Sequence, residues 1–433
     1  MKVVIVGGVA AGTKVAAKLK RENRDHEVII LTKSKEISYA GCGLPYYVGN
    51  IIKDKAQLIV NTPEKFSKLT GAQVFTETEV VGLDRENKSV KAIDLKTNEE
   101  VTFSYDKLVI ATGASPVKPP IEGIDLPGVY FMRTPEDAIN LRADIEAGKI
   151  KRAAVIGAGY IGLEVAENMA LQGVKVSVIE MAPNILTGFD KEFAEYAENK
   201  LADHGIMAFT ETKLEAILGE GKVEKIQTSR RAMKVDAVIM SVGIRPNTAF
   251  LADTGIELMP NGTIKVNEYF ETNDANIYSA GDCAMVKNVL TGAPTWSPMG
   301  SSANIEGRIL AQNINGKRIA YRGVVGTAVA KLLPNLNVGR TGLTEVAAKE
   351  AGFNPISVVT VVDDKAHYYA GASNFMIKLI VDRDSLKVLG VQVIGAGAVD
   401  KVVDVVVTAM SMGATLHDLE DLDLAYAPPF STA

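Results

Sequence analysis

The stretch Ala153-Ala-Val-Ile-Gly157-Ala-Gly159-Tyr-Ile-Gly162 decides the fold. Four apolar residues make a buried strand, glycines at the spacing G-x-G-x-x-G turn the chain, and helix-compatible residues follow. A second apolar run over 174–179 ends in Glu180. Near the N-terminus, Val3-Val-Ile-Val-Gly7-Gly8-Val-Ala-Ala-Gly12 repeats the pattern, with its own second apolar run over 28–31. This is a βαβ unit used twice. Further apolar runs at 108–111, 237–242 and 277–280 predict strands alternating with helices, hence an α/β chain with parallel sheets. Beyond about Tyr321 the glycine turns give way to Ser357-Val-Val-Thr-Val-Val362, Phe375-Met-Ile-Lys-Leu-Ile-Val381 and a run over 388–394. They predict a mixed or antiparallel sheet, with a helix over 399–412 behind it.

Composition fits that reading. The chain has 433 residues, 47% hydrophobic and 23% charged, enough to bury the cores of two or three domains. With 47 basic against 52 acidic residues the net charge is −5, which disfavours a nucleic-acid coat or a polybasic membrane binder. Two cysteines, Cys42 and Cys283, are too few for a disulfide-stapled fold, and a reducing cytoplasm is expected. The run after Lys2 mimics a secretory signal, but glycines interrupt it and a single lysine is a poor leader. No apolar stretch reaches the roughly 18 residues that a membrane span needs. No nucleic-acid or membrane partner is expected.

Gly157, Gly159 and Gly162 fit the dinucleotide fingerprint: the first makes the turn, the second admits a pyrophosphate, the third lets the helix approach. Glu180, 18 positions after Gly162, is placed to bind both ribose hydroxyls, which favours NADH over NADPH. The N-terminal copy is imperfect. Val9 stands where the middle glycine belongs, and Thr32, followed by Lys33, takes the place of the ribose-binding acid. Two strand ends support it as a nucleotide site: one closing in Thr112-Gly113, the other in Gly281-Asp282, whose carboxylate suits a sugar-like chain.

The order of these motifs resembles that of the two-dinucleotide-fold flavoprotein disulfide reductases over essentially the whole chain. The resemblance implies that Gly7, Gly8, Gly12, Thr32, Lys33, Val80, Thr112, Gly113, Gly281 and Asp282 bind FAD. It implies that Gly157, Gly159, Gly162 and Glu180 bind NADH, with Tyr160 gating the nicotinamide. Ser38-Tyr-Ala-Gly-Cys42-Gly-Leu-Pro-Tyr46 narrows it, because it is similar to the cysteine motif of coenzyme A disulfide reductases and their NADH oxidase and peroxidase relatives. Cys283 is 241 positions from Cys42, so the resolving thiol comes from the substrate or Cys42 cycles through a sulfenic acid. Cys283 itself reads as a small core residue. The oxidase and peroxidase relatives carry a histidine where Ala10 stands, which takes weight from those readings. Tyr368 and Tyr426 lie in segments resembling the two tyrosine segments of coenzyme A disulfide reductases, where both reach the partner subunit's cysteine site. Gly41 departs from the asparagine that such relatives often place before the cysteine.

The expected protein is a homodimeric FAD enzyme that oxidises NADH and reduces coenzyme A disulfide or a related disulfide or persulfide. Its cysteine is Cys42, with Tyr368 and Tyr426 assisting protonation. Lys14, Lys18 and Arg21 share one helix face, and with Ser38 they are expected to hold the nucleotide end of coenzyme A. The alternatives are an NADH oxidase or peroxidase, an electron-transfer reductase to a protein carrier such as rubredoxin, and a redox-sensing module. The expected division is an FAD domain at 1–116 and 246–318, an NAD domain at 117–245, and a dimerisation domain of α+β type at 319–433. The extended end Ala425-Tyr-Ala-Pro-Pro-Phe-Ser-Thr-Ala433 leaves open a continuation such as the rhodanese domain of some relatives.

Overall fold

The computed structural model describes residues 1–432; Ala433, and any continuation from it, lies outside the described residues. Val3, Val4 and Ile5 are fully buried, as a strand covered on both faces requires. Their strand, Lys2–Val6, pairs in parallel with Glu27–Leu31 and with Lys107–Ile110. Gln73–Phe75 and Ile277–Ser279 complete the five-stranded parallel sheet at its two edges. The helix Ala10–Glu22 crosses from the first strand to the second and packs on Gly300–Ile314. Gly307 permits that close approach, since a Cβ there would press on the carbonyl of Ala11.

The same architecture recurs around Arg152–Ile156. It pairs in parallel with Lys175–Ile179 and Ala237–Met240, and Met207–Phe209 and Val129–Phe131 form the edges. An antiparallel ribbon, Ala114–Pro116 with Ile244–Pro246, lies where the chain leaves the first sheet and returns to it.

The third sheet runs in the order Ala328–Leu333, Leu336–Gly342, Val388–Gly395, Asn374–Asp382, Pro355–Asp363, and every pairing is antiparallel. The helix Val399–Ser411 buries Val399, Val403, Val406 and Met410 against it. Buried Lys378 ties this sheet to the second unit through Asp190 and Glu192, at 3.0 and 2.6 Å, and pairs within its own unit with Glu345 at 3.3 Å. Its edge strand Pro355–Asp363 leaves Ile356, Val358, Val359, Val361 and Val362 exposed, Val358 by 64%. No helix among the described residues is long and apolar enough to cross a membrane.

The sequence reading passed over the hairpin Ala328–Leu333 and Leu336–Gly342 and two small antiparallel sheets, Thr78–Asp84 to Glu99–Ser104 and Leu214–Leu218 to Ala232–Lys234. Strands such as Glu99–Ser104 are mostly exposed, so they lack the apolar run that marks a buried strand.

Candidate functional site

Gly7 has φ +117° and Gly157 φ +99°, a region costly for any residue with a Cβ. A side chain at Gly7 would collide with the carbonyl of Ala111, and one at Gly157 with that of Ser241. Gly12 and Gly162 lie as closely on the carbonyls of Gly7 and Gly157 and draw each helix onto its turn. Val9 and Gly159 occupy the helix N-cap positions; neither has a side-chain cap, and neither first turn carries an acid. The uncapped N–H groups and the helix dipoles suit a diphosphate. A Cβ at Gly159 would meet nothing within 4 Å, so the approach there is open. These cradles fit two dinucleotides.

Glu180 is held beside the second turn: its oxygens accept from the N–H groups of Ala158 and Ala182, both at 2.7 Å. In the first unit Gly8 packs on Ile37 and on Thr32, which is buried. Exposed Lys33 pairs with Glu79 at 3.6 Å. Val80 buries its side chain in the cluster of Val6 and Leu31, next to a bulge between Val80 and Gly82. Thr112 Oγ1 donates to the carbonyl of Asn247 at 2.7 Å, and Gly113 has φ +67°. Gly281, at φ +81°, donates its N–H to Glu306 at 2.7 Å. Asp282 accepts from Arg133 Nη2 at 2.8 Å, a bridge from the second unit.

Cys42 lies in the single turn Gly41–Gly43 that leads into the helix Leu44–Val48. Its residue surface is exposed. Partial burial pushes its pKa up, the charges of Glu164 and Asp282 add to that, and Arg133 opposes them. Ser38, at φ +49°, donates its N–H to the carbonyl of Gly8 at 2.8 Å and stitches the cysteine segment to the first glycine turn. Cys283 is fully buried, with its thiol directed to the carbonyl of Ile110 at 3.4 Å. Ala10 is the first residue of its helix and brings no acid–base group to the turn.

The hydroxyls of Tyr368 and Tyr426, 58 residues apart in sequence, are 3.3 Å apart on the exposed surface of the third unit. The hydroxyl of Tyr160 accepts from Arg340 Nε at 3.1 Å, and its ring stands edge-on to Phe189. The expected nicotinamide gate is thus seated on the third unit. The basic face needs a correction. Lys14 and Arg21 are exposed, but Lys18 is paired with Glu22 at 3.0 Å, and Glu22 also binds Lys317 and Asn315, each at 2.8 Å. Lys18 therefore has a partner within the protein, and among the described residues two of the three cations have no ion-pair partner.

Sequence reasoning missed Arg133, Glu164 and Glu306, and left Tyr46 without a role. Glu164 stands two residues after Gly162 in a helix otherwise apolar at that end, a signal that was there to see. Arg133 and Glu306 carry no local signal, because their partners Asp282 and Gly281 are distant in sequence.

Two parallel dinucleotide units with a cysteine at their junction define a flavin-linked reductase. Residues 1–303 match the family of the pyridine nucleotide-disulphide oxidoreductases, and 332–433 match that family's dimerisation domain. The chain belongs to this family of FAD- and NAD(P)-dependent oxidoreductases. An NADH oxidase of Methanocaldococcus jannaschii is 37% identical over 432 residues, covering 100% of this chain and 96% of that protein. A CoA-dependent NAD(P)H sulfur oxidoreductase of Pyrococcus furiosus is 36% identical over 431 residues, covering 99% and 96%. The crystal structure of reduced Bacillus anthracis CoADR-RHD matches with a TM-score of 0.97 at 36% identity, over 100% of this chain and 78% of that one.

Proposed function

We propose that this protein is an NADH-dependent reductase of coenzyme A disulfide, or of a related low-molecular-weight disulfide or persulfide, with Cys42 as its reacting thiol. One observation carries the reading: Cys42 is exposed between the two dinucleotide units, and the only other cysteine is sealed in a core. No second thiol can close an internal disulfide, so the partner sulfur arrives with the substrate. Bound FAD would supply the two-electron link between NADH and the cysteine, held by Gly7, Gly12, Gly113, Gly281 and Asp282.

The Cys42 thiolate attacks one sulfur of R–S–S–R, forms a Cys42–S–S–R bond and expels R–S⁻. Tyr368 and Tyr426 protonate the leaving thiolate from the partner subunit; their mutual hydrogen bond supports a joint role. Over the whole reaction two electrons and two protons convert the disulfide into two thiols. Dimerisation follows from the apolar edge strand Pro355–Asp363, which a second copy would cover. The division at 1–116 with 246–318, 117–245 and 319–433 is part of the proposal, as is a cytoplasmic setting.

A second reading, NADH oxidase, is favoured by the relative of that name at 37% identity. It requires Cys42 to cycle through a sulfenic acid, with Ala10 offering no acid–base assistance. Anaerobic NADH oxidation with coenzyme A disulfide tests the first reading: fast thiol release is expected, and Cys42→Ser should keep bound FAD while losing about a thousandfold or more of that rate. Near wild-type thiol release by Cys42→Ser overturns it. Turnover that needs oxygen and ignores the disulfide establishes the second.

A further inference from the structure

The third sheet carries a row of polar side chains on a face that packs against the second unit. Arg340, Gln392 and Lys378 stand opposite one another on the neighbouring strands Leu336–Gly342, Val388–Gly395 and Asn374–Asp382, so all three project to the same side. Gln392 and Lys378 are buried, and a buried polar group is costly unless it is met. The second unit meets each of them. Gln392 accepts from the N–H of Asp190 at 2.8 Å and donates to its carboxylate at 2.7 Å, and Lys378 pairs with the same carboxylate. Arg340 ends the row and donates from Nε to the hydroxyl of Tyr160. Among the described residues it has no ion-pair partner, and this is its one side-chain hydrogen bond.

The segment before the helix Lys191–Asp203 joins this row to the second glycine turn. The N–H of Leu186 donates to the carbonyl of Ala158 at 3.0 Å. A Cβ at Gly188 would lie 2.9 Å from the Arg340 guanidinium, so the missing side chain is what lets the arginine through. Phe189 places its ring 6.3 Å from that of Tyr160 and 5.8 Å from the guanidinium carbon, and closes the seat from a second side. Tyr160 itself is the first residue of its helix, directly after Gly159, whose approach stays open while the ring is held in this way.

We propose that Arg340 is a positioning residue for NADH entry: it seats Tyr160 against the third unit and so keeps the mouth of the second glycine turn open. The inference rests on NADH binding at that turn. Released from the seat, the ring rotates about its side-chain torsions and samples positions at the mouth, where it competes with the nicotinamide. The fraction of molecules ready to bind then falls, and the apparent affinity falls with it, while NADH that has bound reacts as before. Gln392 and Lys378 anchor Asp190 and thereby fix the segment through which Arg340 passes. The third unit thus sets the binding state of the second.

The test is anaerobic stopped-flow reduction of bound FAD by NADH, which reads apparent NADH affinity and limiting rate separately. Arg340→Met keeps an apolar stem and loses the donor, so the apparent Kd should rise by about fivefold while the limiting rate changes by less than about twofold. Tyr160→Phe keeps the ring and loses the acceptor, and should give the same rise; the double variant should be no worse than either single one. Arg340→Lys retains a donor and should recover part of the affinity. Tyr160→Ala removes the ring, so adding Arg340→Met to it should change nothing further. An unchanged Kd in Arg340→Met overturns the inference. So does an equal rise in the Tyr160→Ala background, because Arg340 would then act on NADH directly or through packing alone. If Arg340→Met does not retain FAD, Tyr160→Phe decides, and an unchanged Kd there overturns the inference. Wild-type FAD that NADH does not reduce is a different failure, because it removes the reading on which the inference rests.

Discussion

The two dinucleotide units share strand order, glycine turn and uncapped helix, yet they place negative charge in opposite ways. In the second unit Glu180 stands beside the turn at the end of its strand, with main-chain N–H groups on both oxygens. In the first, Thr32 takes that place, and the carboxylate beneath the cofactor turn is Glu306, 1% exposed, reaching Gly281 from the Gly300–Ile314 helix. One unit holds its charge at its own glycine turn; the other buries it to hold a loop. A shared backbone geometry therefore does not imply a shared ligand chemistry.

The largest effect should come from the glycines. Gly7→Ala combines φ +117° with a clash against the carbonyl of Ala111, so bound FAD should fall by about tenfold or more in the purified protein. Gly159→Ala meets open space, so FAD should stay bound while KM for NADH rises. Equal loss of flavin in both variants would erase the distinction between the turns.

Next comes the half-buried carboxylate of the second unit. Glu180→Gln removes the charge that would repel a 2′-phosphate, and the ratio of kcat/KM for NADH over NADPH should fall by about tenfold. An unchanged ratio means that Glu180 does not face the ribose.

The buried carboxylate should act on stability instead. Burial pushes Glu306 from 4.5 up to about 7. Between those values the folded chain holds a proton that the unfolded chain has released, so stability falls as pH rises through that window. Glu306→Gln keeps an acceptor for Gly281 and has no charge to bury. The drop in Tm between about pH 5 and pH 8 should shrink by a few degrees. A pH dependence identical to wild type would mean that burial does not hinder the ionisation of Glu306.

The smallest effect concerns the first unit's outer helix face. Lys14→Ala with Arg21→Ala should raise KM for coenzyme A disulfide by about threefold, and more salt should shrink that difference. A small disulfide without the nucleotide should show no change. Lys18→Ala alone should do less than the pair, since its charge is already met by Glu22. An equal effect on both disulfides would return this face to the solvent.

Much of this protein is decided by local pattern. An apolar run followed by G-x-G-x-x-G has one good solution, because a strand covered on both faces must be apolar and the turn tolerates few side chains at Gly157 and Gly162. The two parallel units, the antiparallel third unit, and the contrast between Cys42 in its motif and Cys283 in its strand turn were therefore legible in sequence. Tertiary structure alone decided what depends on meetings between distant segments. It brought Arg133 to Asp282, Glu306 to Gly281, Tyr368 to Tyr426 and Glu164 to Tyr46. It also brought Lys317 and Asn315, from the far end of the Gly300–Ile314 helix, to Glu22, which lies one helical turn after Lys18 and already pairs with it. Periodicity reports which face of an element is buried, but not which polar group waits on the other side. The strength of a charge depends on that partner and on the water excluded around it, and both are set only when the units pack together.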